Sequence, residues 1–272
     1  MSPEAADTGT TKVEPQQPIG AIVTGVDLSG PVDHEALRDA LADHGVLAFP
    51  DQHLDDDAFV AFLEGFGELA YTAGEDPVPG RTDLNVVTNV GRERIPVSNW
   101  HVDTAYVASP PAYTSLRAVE VPAEGGQTLF SDQYRAWATL PDDLRAMVGD
   151  RTMTHVVTGV DPGDGAETEA DHPIVRSHPR TGRPALLLDA PARCAHVSGL
   201  DDDAARDLVT ALLAHSTRDD NVWRHSWRPG DVVIWDNAAV LHRADHSGTV
   251  GDRTFHRGMV SAAGHGSPVR PL

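Results

Sequence analysis

A chain of 272 residues, 40% of them hydrophobic, can bury a sizeable core and falls within the range of one all-β or α/β domain. Its formal charge of −20 repels polyanions and argues against nucleic acid as a partner. The single cysteine, Cys194, excludes an internal disulfide framework, and no apolar run approaches the roughly 20 residues that span a bilayer, so a cytoplasmic protein with no membrane partner is expected.

Residues 1–17 are polar and acidic, lack the features of a signal peptide, and read as a disordered tail. Residues 18–272 read as one domain, because no repeat or composition break divides them. "IGAIVTGVDLSG" predicts a strand and a turn, and "VDHEALRDALADHG" a helix capped by Asp33 and stopped at Gly45. "VLAFP" is a short buried strand. "LDDDAFVAFLEGFG" is a second helix, with Phe59, Phe62, Leu63 and Phe66 on one stripe and Gly67 behind it. Loops are expected at 70–83 and 90–98, with the strand "LNVVTN" between them. Further strands are "YTSLRAVEV" and "TLFSD", then a helix around Gln133–Leu140. Residues 159–173 form a long acidic loop, "RPALLLDA" a strand, and "LDDDAARDLVTALLAHS" a helix. The end is strand-rich: "DVVIWDN", "AAVLHRA" and "RTFHRGMVSA". Short strands with a few covering helices predict a mainly β, α+β architecture, a sandwich or jelly roll.

Two His-x-Asp motifs occur. His53-Leu54-Asp55 stands directly before a helix, where an N-cap accounts for the aspartate. His101-Val102-Asp103 precedes no helix, and in extended chain its two side chains would share a face. Two histidines and one carboxylate are the donor set of a non-haem iron site with open positions. His242, His246 and His256 all offer the third ligand. In the last strand Arg253, Phe255, Arg257 and Met259 share a face, and His256 points the other way. Two arginines beside a metal call for an anion to pair with them; their bland reading is surface salt bridges.

From Ile19 to Ala262 the chain resembles the taurine dioxygenase family of Fe(II)- and 2-oxoglutarate-dependent oxygenases. The resemblance rests on "GAIVTGVDLS", "HGVLAFPDQ", "NWHVDTAY", "PPAYTSLRAVEVPAEGGQTLFSD", "HPRTGRPALLL", "WRPGDVVIWDNAAVLHRA" and "DRTFHRGMV", in that order and spacing. It implies a double-stranded β-helix (a jelly roll), Fe(II) as metal, and 2-oxoglutarate and O2 as co-substrates. By motif, it makes His101, Asp103 and His242 the iron ligands. Arg253, eleven residues beyond His242, and Thr128 of "GGQTLF" would hold the distal carboxylate of 2-oxoglutarate. The implied chemistry converts the 2-oxo acid to succinate and CO2 and removes hydrogen from a substrate C–H bond, giving hydroxylation, desaturation or epoxidation. Asp103 argues against halogenation, because related halogenases replace that carboxylate with a small residue.

Departures from the family pattern concern the substrate. Val97 stands where the taurine enzyme has a polar contact, and "ELAYTAGED", with Tyr71, has no histidine where that enzyme is histidine-rich. Tyr106 and Thr104 flank the ligands, and Arg257 matches the arginine that pairs with the taurine sulfonate. A small-molecule substrate, with an anionic one left open by Arg257, and a tailoring role on a natural product or modified amino acid are expected. A sulfonate- or alkyl-sulfate-cleaving enzyme is the alternative, and a zinc-type metallohydrolase using the same triad a remoter one. A non-catalytic jelly-roll binder and a homo-oligomer also stay open. The loops 70–83, 90–98 and 159–173 are candidate lids.

Overall fold

The computed structural model describes residues 10–72, 74–91 and 98–262. The chain begins with β1 (Lys12–Pro15), β2 (Ala21–Thr24), helix α1 (His34–His44), β3 (Val46–Phe49) and α2 (Asp56–Glu64). It continues through β4 (Leu69–Ala70), β5 (Asn85–Thr88), β6 (Tyr113–Glu120), β7 (Thr128–Asp132), α3 (Gln133–Ala138) and α4 (Asp142–Val148). Then come β8 (Thr152–Val156), β9 (Glu169–Pro173), β10 (Val175–Ser177), β11 (Pro184–Leu186), β12 (Cys194–Val197) and α5 (Asp202–Ser216). The last strands are β13 (Val222–His225), β14 (Val232–Asp236), β15 (Val240–Ala244) and β16 (Thr254–Val260).

Two sheets face each other as the expected jelly roll. The larger runs β1-β2-β3-β14-β6-β16-β4, with β5 also on β16, and the smaller runs β13-β7-β15. Alternation along the strands divides the apolar residues between two layers. Val46, Ala48, Val233 and Trp235 point inward to Phe130 and Val240 of the smaller sheet. Leu47, Phe49, Val232 and Ile234 point outward, under Leu37 and Leu41 of α1 and Phe59, Phe62, Leu63 and Phe66 at α2. Burying each Leu or Phe is worth roughly 1.5–3 kcal/mol. A slip of one residue would put every one of these side chains on the wrong face, so the pattern fixes the register Val46↔Trp235 and Phe49↔Val232.

Local signals place the helices. Asp33 Oδ1 accepts from the Ala36 N–H at 3.0 Å, and Asp55 Oδ1 from Ala58 at 2.8 Å. The Asp55 cap accounts for the first His-x-Asp motif as expected. Helix α2 lies so close to the larger sheet that a β-carbon on Gly258 would sit 2.3 Å from Leu63 Cδ1.

Four local expectations are corrected. Lys12–Pro15 is not a disordered tail but an edge strand: the backbone of β2 supplies the ladder, and all four residues stay exposed. Helix α2 ends at Glu64, with Gly65 as its cap, before Gly67. The helix expected to reach Leu140 stops at Ala138, and α4 follows after Pro141. The acidic stretch 159–173 ends in β9, which pairs with β8 although its residues are mostly polar.

Candidate active site

The site forms where two distant segments meet as bridge partners. The His101 N–H donates to the His242 carbonyl at 3.1 Å, and the His242 N–H to the His101 carbonyl at 3.0 Å. Residues paired this way present their side chains on one face, and the two imidazole centroids are 4.3 Å apart. Asp103 is not in extended chain, as the spacing alone suggested, but opens a turn that runs through Tyr106. Within that turn Thr104 has φ +45°, a left-handed conformation that costs a threonine of order 1–3 kcal/mol and recurs at functional sites. His172 braces the turn, its Nε2 3.0 Å from the carbonyls of both Ala105 and Val107.

Ligand atoms of His101, Asp103 and His242 all lie within 4.8 Å of one another. Asp103 Oδ1 is 3.7 Å from His101 Nε2, and Asp103 Oδ2 is 3.5 Å from His242 Nε2. The Nδ1 of His101 lies 2.8 Å from the Asn99 carbonyl, which selects the tautomer with its lone pair on Nε2, toward the cluster. Asp103 Oδ2 is buried with no hydrogen-bond partner. Burial opposes ionisation of Asp103, but His242, His101 and Arg257 outweigh it and hold the carboxyl well below its usual range. Burial pulls His242 down to about 3, against the attraction of Asp103. An ionised carboxylate, a neutral His242, the His101 Nε2 facing the cluster and an orphaned buried oxygen fit a divalent cation.

A cavity of about 380 Å³ opens over this cluster, lined also by Thr128, Trp235, His246, Arg253 and Arg257. Arg253 is buried, and no carboxylate among the described residues lies within ion-pair distance of it. Its Nε donates to the Gly126 carbonyl at 3.2 Å, and its guanidinium lies 4.2 Å from the Phe255 ring centre. Burial lowers its pKa to about 10, the mark of a cation short of a counter-charge. Thr128 Oγ1 accepts from Trp227 Nε1 at 3.0 Å, so its own hydroxyl proton is free to be donated into the cavity.

Arg257 also reaches the cavity, but it is already engaged. Its guanidinium donates to Glu75, approaches Thr72 Oγ1 at 3.4 Å and Asn85 Oδ1 at 3.5 Å, and lies 3.7 Å from Asp103 Oδ1. Of the alternative third ligands, His246 lines the cavity near Arg253, outside the cluster. His256 points away, 2.6 Å from Asp56. Tyr71 is 39% exposed and donates to the Glu75 carbonyl at 3.0 Å. Tyr106 is half-buried, and both burial and Glu75 raise its hydroxyl pKa. Thr104 and Tyr106 are not among the residues lining the cavity, and Val97 lies outside the described residues. Sequence reasoning missed Glu75, Arg193 and Trp235 as cavity residues. The charge of Glu75 was visible in a Gly- and Pro-rich loop, but its aim was not.

A model of the family described as "Taurine catabolism dioxygenase TauD, TfdA family" matches residues 12–259. The chain is 33% identical to the (S)-phenoxypropionate/alpha-ketoglutarate-dioxygenase of Delftia acidovorans, over 84% of this chain and 86% of that protein. It is 32% identical to the alpha-ketoglutarate-dependent sulfate ester dioxygenase of Pseudomonas putida, over 85% and 83%. To pentalenolactone F synthase of Streptomyces avermitilis it is 30% identical, over 84% and 86%. The crystal structure of a taurine dioxygenase from Burkholderia xenovorans superposes with a TM-score of 0.82 at 29% identity, covering 96% of this chain and 93% of that one.

Proposed function

The chain belongs to the TauD, TfdA family and is a non-haem Fe(II)- and 2-oxoglutarate-dependent dioxygenase, and from this we propose that it tailors a small natural product or modified amino acid. The dioxygenase class leaves no place for the zinc-hydrolase alternative. Bound at the active site with 2-oxoglutarate and O2, Fe(II) would supply oxidation of a substrate C–H bond, coupled to conversion of the 2-oxo acid to succinate and CO2.

His101, Asp103 and His242 hold the metal in this reading. Asp103 is ionised by its surroundings and His242 is kept neutral by burial, so neither must lose a proton to bind. The bridge between His101 and His242 and the hydrogen bond to Asn99 fix the directions of the two imidazoles. Arg253 and Thr128 receive the distal carboxylate of 2-oxoglutarate. A buried guanidinium without a counter-charge is costly, and a carboxylate that accepts from both it and the Thr128 hydroxyl offsets that cost. Trp235 is a buried apolar part of the cavity lining, and the Phe255 ring packs against the Arg253 guanidinium.

The observation that carries tailoring over sulfonate cleavage is the engagement of Arg257 by Glu75. The guanidinium that the resemblance assigns to a sulfonate already has a carboxylate. Likeness to pentalenolactone F synthase supports the same choice. Likeness to a sulfate ester dioxygenase supports the second reading, cleavage of an alkyl sulfate or sulfonate. The test is a panel of candidate substrates incubated with Fe(II), 2-oxoglutarate and air, following succinate and product mass. Tailoring predicts a product heavier by one oxygen, or lighter by two hydrogens, with no sulfite or sulfate. Substrate-dependent release of either anion would establish the second reading instead.

A further inference from the structure

Arg257 faces two carboxylates at once, Glu75 and Asp103, with the Thr72 hydroxyl and the Asn85 amide oxygen beside it. The Arg257 side chain is 11% exposed and that of Glu75 26%, so their pair is screened less than a surface salt bridge. The backbone that carries Glu75 is fastened on both sides. Tyr71 donates its hydroxyl proton to the Glu75 carbonyl. On the other side Gly74 lies against the 159–168 loop so closely that a β-carbon on it would sit 2.1 Å from the Asp161 carbonyl oxygen. Glu75 is therefore part of the cavity wall, together with Asp76 and Asp103.

An anion arriving at Arg257 would have to displace Glu75 and then remain beside it, with Asp103 close behind. A hydrogen-bond donor meets no such obstacle. Only Oε2 of Glu75 is used by Arg257, and Oε1 accepts no hydrogen bond from a described residue. A carboxylate has about four acceptor sites, so the pair can stay intact while Glu75 receives a further donor.

We propose that Glu75 is a specificity-determining residue: it neutralises Arg257 and makes the substrate side of the cavity take a hydroxyl, amide or ammonium group in place of a bare anion. This rests on the reading that substrate lies over the His101, Asp103 and His242 cluster.

Methanesulfonate is the probe, titrated calorimetrically under argon into protein loaded with Mn(II) and 2-oxoglutarate. Glu75→Gln should bind it at least about tenfold more tightly than wild type, a factor that corresponds to about 1.4 kcal/mol. Glu75→Ala should gain likewise, and Glu75→Gln combined with Arg257→Gln should lose the gain. A matching melting temperature for the variants guards against misfolding. Equal behaviour of wild type and both single variants, whether all bind or none does, overturns the proposal, as does a gain that survives removal of Arg257. Succinate formation by the wild type with Fe(II) and air is recorded separately. Its absence would count against the dioxygenase reading and leave the anion titration to judge Glu75.

Discussion

Gly126→Ala tests the link between backbone shape and the co-substrate. Gly126 has φ +68°, where a β-carbon costs roughly 1–2 kcal/mol. That carbon would also sit 2.7 Å from Pro122 Cγ and 3.3 Å from Arg253 Cδ. Relieving such overpacking costs typically about 1–3 kcal/mol. Together these give a loss of roughly 2–5 kcal/mol, and a domain of this size shifts about 2–4 °C per kcal/mol, so the melting temperature should fall by about 4–20 °C. The second effect is on binding. Arg253 is held by its bond to the Gly126 carbonyl, and displacing it by tenths of an ångström weakens charge-assisted hydrogen bonds worth about 1.5–3 kcal/mol. The Kd for 2-oxoglutarate should rise roughly 10- to 100-fold, measured by titration into the Mn(II)-loaded protein without oxygen. An unchanged Kd alongside a lowered melting temperature would refute Arg253 as the anchor. An unchanged melting temperature would refute the backbone reasoning.

Three further outcomes follow from the same structure. Mn(II) with 2-oxoglutarate at about 100 times Kd should stabilise the protein by about 2.7 kcal/mol in thermal melts, and His101→Ala or Asp103→Ala should abolish that gain; an undiminished gain would remove the triad from the metal site. Burial lowers the pKa values of His242, to about 3, and of His172, so the unfolded chain binds more protons than the folded one below about pH 6.5. Stability of the metal-free protein should therefore fall as pH drops from about 6.5 toward 3, and His172→Gln should flatten part of that slope in denaturant titrations at pH 7.5 and 5; an unaltered slope would refute the role of His172. Gly258→Ala should destabilise by about 1–3 kcal/mol, because its β-carbon meets Leu63, and Leu63→Ala should be less harmful in that background than alone; additive losses would show that α2 yields freely.

Much of the site was legible because its signals are local in type. A His-x-Asp step with no helix to cap, a histidine after an apolar strand and two arginines four residues apart are properties of short segments, and the resemblance tied them together. The structure sorts His242 from His246 and His256 by strand geometry: β15 is the bridge partner of the His101 segment, and His256 falls on the outer face of β16. Alternation on β16 was readable for the same reason. Arg257 lines the cavity, but its partner Glu75 could not be named from the sequence, since it is 182 positions away.

By itself the sequence determined helices α1 and α5, the start of α2, the mainly β two-sheet class and the chemical types in the His101, Asp103 and His242 cluster. Capping, 3.6-residue periodicity and strand alternation act over a few residues and need no partner. Only the tertiary structure decided that Lys12–Pro15 and Glu169–Pro173 are strands, since an edge strand of polar residues is ordered by its neighbour's backbone and carries little apolar pattern of its own. It alone decided that Asp103 sits in a turn braced by His172, and that a glutamate from a Gly-rich loop pairs with Arg257 in the cavity wall. Those outcomes depend on which loops the closed jelly roll brings together, and ion pairing acts through space between segments whose separation in sequence carries no record of their meeting.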